Sequence, residues 1–425
     1  MMPVELSDVS IEDELFTAAL GLHNPWAVQS VDFRPDAGRI DFHVGFARGS
    51  HFDCPGCGAS EQPVHDTRAR QWRHLNFFQY QAFVNCEIPR TRCTACGKTL
   101  QVPVPWAREG SGFTLMFEAF AITLARQMPI LAIARIFGVG DDPLWRMLRH
   151  HVDKARAAEY LDAVRRVGID ETASRRGQNY MTVVHDLDAG RVIFACEGRD
   201  QSTVERFAAD LHAHGGSTKD ITDACTDLSK AFIAGVTKHL PGATLSFDPF
   251  HVVALANTAL DEVRREEVKR EPELRGSRWA LLKDSAKLTK AQLTTFHHLM
   301  RSGTGTARAW RLKQSLRDVF ALAQNAVQAE ALLERWYSWA RRARLAPFKR
   351  LATTIRNHLP GILAHFDSRL SNGPVESVNG LIQAAKARAR GYRNIENLIT
   401  MTFLIGGRLT ALPQNPMITR TATPI

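Results

Sequence analysis

The sequence predicts a mixed, multi-domain α+β protein centred on a mixed sheet with helices on both faces. Segments 166–170, 180–187 and 192–197 are short, rich in Val, Ile and Phe, and separated by Arg-Gly-Gln and Asp-Ala-Gly turn signals. That is the pattern of an antiparallel meander. A helix-period run (Val204, Phe207, Ala208, Leu211) follows, then a strand at 221–224, a second helix (Phe232, Val236, Leu240) and a strand at 243–247. Three strands and then alternating helix and strand place helices on both faces of a partly parallel sheet. Two C-x-x-C pairs upstream and a nearly continuous helical run after residue 270 mark further pieces.

Composition bounds the class. The chain has 425 residues, room for roughly two to four domains. Its net charge of +10 and pI near 9.4 suit a polyanionic partner. No apolar run reaches membrane-spanning length, so no membrane association is expected. The first residues are acidic (Glu5, Asp8, Glu12, Asp13, Glu14), unlike a secretory leader, and predict a cytoplasmic protein. Four of the seven cysteines fall in the two pairs, which argues for a metal rather than disulfides.

Residues 1–50 predict a short helix and a hairpin around Pro-Asp-Ala-Gly, with no chemistry assigned. Residues 51–105 read as a zinc ribbon. Cys54-Pro-Gly-Cys57 and Cys93-Thr-Ala-Cys96 are each followed by a glycine, Gly58 and Gly97. Two thiolates on such a turn make half of a tetrahedral Zn²⁺ site. The long gap between the pairs requires an extended hairpin. His51, His65, His74 and Cys86 are nearby donors, but the paired cysteines are the expected ligands. Phe77, Phe78, Tyr80 and Phe83 are expected in the core.

Residues 106–160 follow a Pro- and Gly-bearing linker and read as a helix-turn-helix. The apolar run from Ile130 is closed by Gly138, and Asp141 and Asp142 cap a helix beginning at Pro143. Arg146 and Arg149, with His150, would face phosphates or base edges if that helix enters a major groove. An ordinary helical hairpin with solvated arginines fits the pattern equally.

Asp170 ends the first strand of the meander, Asp227 follows the fourth strand, and Asp248 ends the fifth with His251 three residues later. Ligands gather at strand ends of open sheets, and carboxylates there can share Mg²⁺. A single aspartate in such a place more often caps a helix. The helix after His251 is a salt-bridged, solvated one. Residues 271–345 read as an all-helical insertion with Trp279, Trp310, Trp336 and Trp339 in its core. In 346–410, Asn372-Gly-Pro breaks the chain and Pro374 opens a helix that carries Glu376 in its first turn and Asn379 one turn later. A glutamate there also gains from the helix dipole without any metal. Lys386, Arg388, Arg390 and Arg393 would give this helix a basic face for DNA. Residues 411–425 read as a loose tail.

IDET, DLSKAF, LPGATLSFDPFHVV and SNGPVESVN together resemble the ISL-three family of bacterial insertion-sequence transposases. The resemblance runs from the paired cysteines to about Gly406. It implies an RNase H-like catalytic core in two parts, 164–270 and 346–410, with a DDE triad of Asp170, Asp227 and Glu376. Asp248 and His251 match the family's Asp-x-x-His signature and are auxiliary. Asn379, on the same helix face as Glu376, is auxiliary too, either positioning that acid or contacting DNA. Asp223 and Asp248 compete with Asp227 for the second position. The resemblance also implies two catalytic Mg²⁺ ions, Mg-dependent cleavage of element ends and strand transfer, and at least a dimer when ends are paired. Beside the ribbon, it favours DNA binding by the second helix of 106–160, and nucleoid association when bound. Two other readings compete: a DNA-binding regulator without catalysis, and an RNase H-like nuclease that cuts without joining.

Overall fold

The computed structural model describes residues 11–175, 177, 179–283 and 287–417. Glu5 and Asp8 of the acidic start, Arg176 and Gln178 of the first turn signal, and 418–425 of the tail lie outside them. Two compact units emerge, one from Met1–Ala158, Ala385–Gly391 and Leu409–Ile425, the other from Glu159–Ala384 and Tyr392–Arg408.

In the first unit, α1 (Ile11–Ala19) precedes an antiparallel hairpin of β1 (Trp26–Arg34) and β2 (Arg39–Phe46). Short β3 (His51–Phe52) leads to the extended hairpin of β4 (Gln62–Arg73) and β5 (Gln81–Arg92), and β6 (Thr99–Gln101) pairs back on β5. The strands run in the order β1-β2-β5-β4-β3. Alternation along β5 buries Val84, Cys86 and Ile88 together with Trp26, Trp72 and Trp106. The three indoles meet edge to face at 5.1 and 5.6 Å. Phe77 and Phe78 depart from expectation: they form the hairpin tip and face solvent, because Phe77 and Tyr80 pair across a two-residue turn.

Three helices follow: α2 (Leu115–Ala125), α3 (Ile130–Phe137) and α4 (Asp141–Ala157). Gly138 ends α3 at φ +62°, where a side chain would be strained. The second helix starts at Asp141 rather than Pro143. Asp141 and Asp142 therefore sit inside its first turn, facing the positive dipole end, and Gly140 is the cap. Glu118 of α2 is fully buried and accepts from Ser111 Oγ at 2.6 Å, His151 Nε2 at 2.6 Å and Arg108 Nε at 3.0 Å.

The second unit opens with the meander: β7 (Arg166–Ala173), β8 (Tyr180–Asp186) and β9 (Arg191–Glu197). Asp170 does not end the first strand as expected: pairing with β8 carries β7 three residues further, and Asp170 lies inside it opposite Val183. Then come α5 (Gln201–Ala213), β10 (Asp223–Thr226), α6 (Lys230–His239) and β11 (Thr244–Phe247). The sheet order is β11-β10-β7-β8-β9, with β10 parallel to both β7 and β11. Val167 and Ile169 of β7 pack with Phe207 of α5 and Phe232 of α6. Gly168 and Asp170, between and after them, face the opposite side.

The rest is helical: α7 (Pro249–Glu267), α8 (Arg278–Leu282), α9 (Lys290–Arg301), α10 (Gly305–Leu322), α11 (Ala326–Arg342), α12 (Ala346–Asn357), α13 (Leu359–Ser368), α14 (Gly373–Arg388) and α15 (Ile395–Gly406). One apolar cluster joins Val252 and Leu260 of α7 to Leu312 and Leu316 of α10, Trp336 of α11 and Phe348 of α12. Trp336 is core, its Nε1 donating to Leu312 O at 2.8 Å. Trp279 and Trp339 correct the expectation, being 56% and 39% exposed. Among the described residues no helix is long and apolar enough to cross a membrane.

Candidate active site and zinc centre

Three aspartates share one row of the second sheet. Cys225 of β10 lies opposite Gly168 of β7, and Thr226 lies opposite Phe247 of β11. Carried just past the strand ends, this register sets Asp227 beside Asp170 on one side and Asp248 on the other. Asp223 opens β10 opposite Arg166, at the far end from this row.

Helix α14 closes on β7 turn by turn. Four helical residues rise about 6 Å and two strand residues about 6.6 Å, so successive helical turns keep pace with alternate strand positions. Val375 packs over Gly168, whose missing side chain makes room: a Cβ there would lie 2.7 Å from Val375 Cγ2 and 3.0 Å from Asn372 Oδ1. One turn on, Asn379 Nδ2 donates to Asp170 Oδ2 at 2.8 Å. After another turn, Gln383 Nε2 donates to Thr172 Oγ1 at 2.5 Å and to Ala173 O at 3.0 Å. Glu376 stands in the first turn of this helix, and its Oε1 is buried without a hydrogen-bond partner.

The aspartates differ in what they hold. Asp248 caps α7, accepting from Phe250 N at 2.7 Å through Oδ1, while Oδ2 accepts from Asn372 N. With both oxygens on backbone donors, it ties the start of α7 to the turn that launches α14. Asp227 is half-buried and accepts from Ser229 N at 2.9 Å. Asp170 accepts from Glu171 N at 2.8 Å through its other oxygen.

Burial pushes the Asp170 carboxyl up to about 6; the Glu171 N–H, His251 and the Asn379 amide oppose the rise and the Asp227 charge adds to it. Burial also raises Glu376, with Asp248 adding and His251 opposing. His251, in the first turn of α7, is thus felt by both acids, and its Nε2 is buried without a partner. Desolvated carboxylates with an orphaned oxygen fit a divalent cation, which offsets their mutual repulsion. Among the described residues, no trio of these carboxylates closes to within 4.8 Å.

The four cysteines do close to that spacing: Cys54, Cys57, Cys93 and Cys96 have all sulfurs within 4.8 Å of one another. Sγ–Sγ distances of 3.8 Å (Cys54–Cys96) and 3.5 Å (Cys57–Cys93) match the roughly 3.8 Å edge of a tetrahedron of zinc–sulfur bonds. Gly58 and Gly97, at φ +73° and +69°, let each knuckle turn back so that its N–H reaches the first cysteine's carbonyl. These residues form a structural zinc centre. Cys86 is a core residue of β5, and His74 bonds Thr114 Oγ1 at 2.8 Å, so neither is a ligand.

On α4, Arg146 is exposed and Arg149 half-buried. The basic face expected of α14 is corrected: the helix ends at Arg388, where Gly391 at φ +97° returns its N–H to Lys386 O. Lys386 and Arg388 belong to the last turn, whereas Arg390 and Arg393 lie beyond it. Sequence reasoning missed Gly168, Asn372 and Gln383. A lone glycine inside a Val/Ile strand is a signal of close backbone approach and could have pointed to the first.

A mixed sheet with an acidic edge, a four-cysteine ribbon and a helix-turn-helix define a DNA-binding enzyme of the DDE transposase class. A family described as "Transposase" matches residues 167–402, the "Helix-turn-helix domain of transposase family ISL3" matches 102–152, and the "zinc-finger of transposase IS204/IS1001/IS1096/IS1165" matches 51–96. The transposase for insertion sequence element IS1557 of Mycobacterium tuberculosis is 31% identical over 94% of this chain and 97% of its own length. The transposase for insertion sequence element IS1001 of Bordetella parapertussis is 26% identical over 90% and 96%. The chain belongs to the ISL3 family of transposases.

Proposed function

We propose that Asp170, Asp227 and Glu376 are the catalytic acids of Mg²⁺-dependent cleavage at insertion-sequence ends and of the strand transfer that follows. The observation carrying this is the meeting of the aspartate row with α14 through the Asn379–Asp170 hydrogen bond. The three acids would hold two Mg²⁺ ions. Such ions, when bound, supply Lewis acidity to the attacking and leaving oxygens of an in-line displacement.

In the first step a water oxygen attacks the phosphodiester at the element end, and the 3′ oxygen leaves as a hydroxyl. In the second, that hydroxyl attacks a target phosphodiester, joining the element end to the target phosphorus while the target's own 3′ oxygen leaves as a hydroxyl. Asn379 holds Asp170 in place, Asp248 anchors the turn ahead of Glu376, and His251 stands in the first turn of α7 with an unpartnered Nε2. Pairing two ends would call for at least a dimer.

Radiolabelled end DNA tests this reading. Asp170→Asn, Asp227→Asn and Glu376→Gln should each abolish nicking and joining while end binding persists. Undiminished cleavage by any one of them removes that residue from the triad. Cleavage without a joined product in the wild type would instead identify a nuclease.

A further inference from the structure

We propose that the tip of the β4–β5 hairpin is a wing of the DNA-binding element, with the Phe78 ring as a wedge inserted into duplex DNA beside α4. Phe77 and Tyr80 exchange both backbone hydrogen bonds at 3.0 Å, leaving Phe78 and Gln79 as a two-residue turn. Phe78 takes φ +52° at a position that such turns usually give to glycine, asparagine or aspartate. Its ring is also 80% exposed. A bulky aromatic here costs both backbone strain and apolar surface left in water.

The ring is held rather than loose. Phe78 meets Phe77 edge-on at 4.8 Å, Phe77 meets Phe16 at 5.9 Å, and Phe16 meets Phe42 at 5.0 Å. Both strands flanking the tip are fixed to the turn of the helix-turn-helix. Arg73 donates through Nη2 to Phe137 O at 3.0 Å, and Gln81 crowds Gly138, where an added Cβ would lie 2.4 Å from its Nε2. That turn leads directly into α4, and the start of the second helix is the end that meets base edges. The tip is therefore continuous with the DNA-reading element. Its exposed neighbours Asn76 and Gln79 are polar, which suits a groove better than an apolar partner. Apolar wedges of this kind, phenylalanine among them, part base steps and bend the duplex.

The inference rests on DNA binding by the helix-turn-helix and is independent of the acids. The test therefore uses the full zinc-loaded chain without a catalytic divalent ion. The probe is an end-labelled duplex of the terminal sequence flanking this chain's own coding region. Phe78→Ala and Phe78→Gly should each weaken binding by at least about tenfold with the salt slope unchanged, since no phosphate contact is lost. Energy transfer between the duplex ends should report a smaller bend. Phe78→Gly should at the same time raise the melting temperature, because glycine relieves the turn. Wild-type affinity and bend in both variants would overturn the proposal. So would light scattering in which Phe78 governs self-association while DNA affinity stays intact.

Discussion

Asn379 and Asp170, 209 positions apart in the chain, are joined by a 2.8 Å hydrogen bond that brings a downstream helix onto the first strand of the second unit's sheet. The bond is one rung of a ladder whose other rungs are Val375 on Gly168 and Gln383 on Thr172. The ladder fixes where along β7 the first turn of α14 stands, and hence where Glu376 points. Asn379 also acts on Asp170 chemically, since an amide donor favours the ionised carboxylate.

Asn379→Ala should therefore shift the pH dependence of cleavage. Burial leaves the Asp170 carboxyl at about 6, and the Asn379 amide is one of the groups holding it from rising further. Without that donor the acid limb of the rate profile moves to higher pH. Cleavage should fall about tenfold or more near pH 6 and less near pH 8, the scale of one lost hydrogen bond to a charged group. A parallel loss at every pH would mean that Asn379 contributes only packing.

Divalent ions should stabilise the fold, and more so in alkali. Asp170 rises from an ordinary 3.8 to about 6 on folding, so between those values the folded state keeps a proton that the unfolded chain has released. Stability therefore declines as pH rises through this window and stays lower above it. Burial raises Glu376 in the same direction. A bound cation favours the ionised forms, and at a hundred times its Kd it adds about 2.7 kcal/mol. Differential scanning should show a larger Mg²⁺-induced rise in Tm at pH 7.5 than at pH 5. The difference should shrink in Asp170→Asn.

Gly168→Ala tests the ladder from the strand side. The new Cβ would lie 2.7 Å from Val375 Cγ2 and 2.8 Å from Leu187 Cδ2, too close for either to remain. Overpacking of this kind typically costs about 1–3 kcal/mol. Because the displaced residue neighbours Glu376, cleavage should fall as well. Trimming the partner in Gly168→Ala/Val375→Ala should restore much of both. Full activity in the single variant would show that α14 can shift without moving the acid.

Much of this was legible in the sequence because local signals and tertiary demands agree. The meander, the parallel strands after it and the helix carrying Glu376 follow from apolar periodicity and from Asn-Gly-Pro. The register that aligns Asp170, Asp227 and Asp248 did not, because pairing is a relation between strands and leaves no mark within either. The exposed Phe78 and Trp339 were misplaced for a related reason: an aromatic at an apolar-looking position reads as core until its neighbours are known. The basic face failed because the helix ends at Arg388: Arg390 itself takes the left-handed conformation at φ +57°, and Gly391 returns its N–H to Lys386 O.

Glu118 offers a test in the unit that binds DNA. Its carboxylate has no exposed surface and is enclosed by Arg108 and Ser111 of the linker before α2 and by His151 of α4. Burial alone would raise its pKa, but the His151 and Ser111 hydrogen bonds and the Arg108 charge outweigh it and leave the group lowered. A lowered acid contributes stability that is present above the unfolded value, about 4.3, and is lost as pH falls through the folded one. Glu118→Ala strands a buried guanidinium edge and imidazole, and breaking a buried pair in this way costs about 3–5 kcal/mol. Urea titrations at pH 7 should show that loss. As pH is lowered below about 4.3, the wild type should lose its advantage while the variant does not follow, so the two stabilities converge. If the gap stays constant across that range, the stabilisation comes from packing around the side chain and not from its charge.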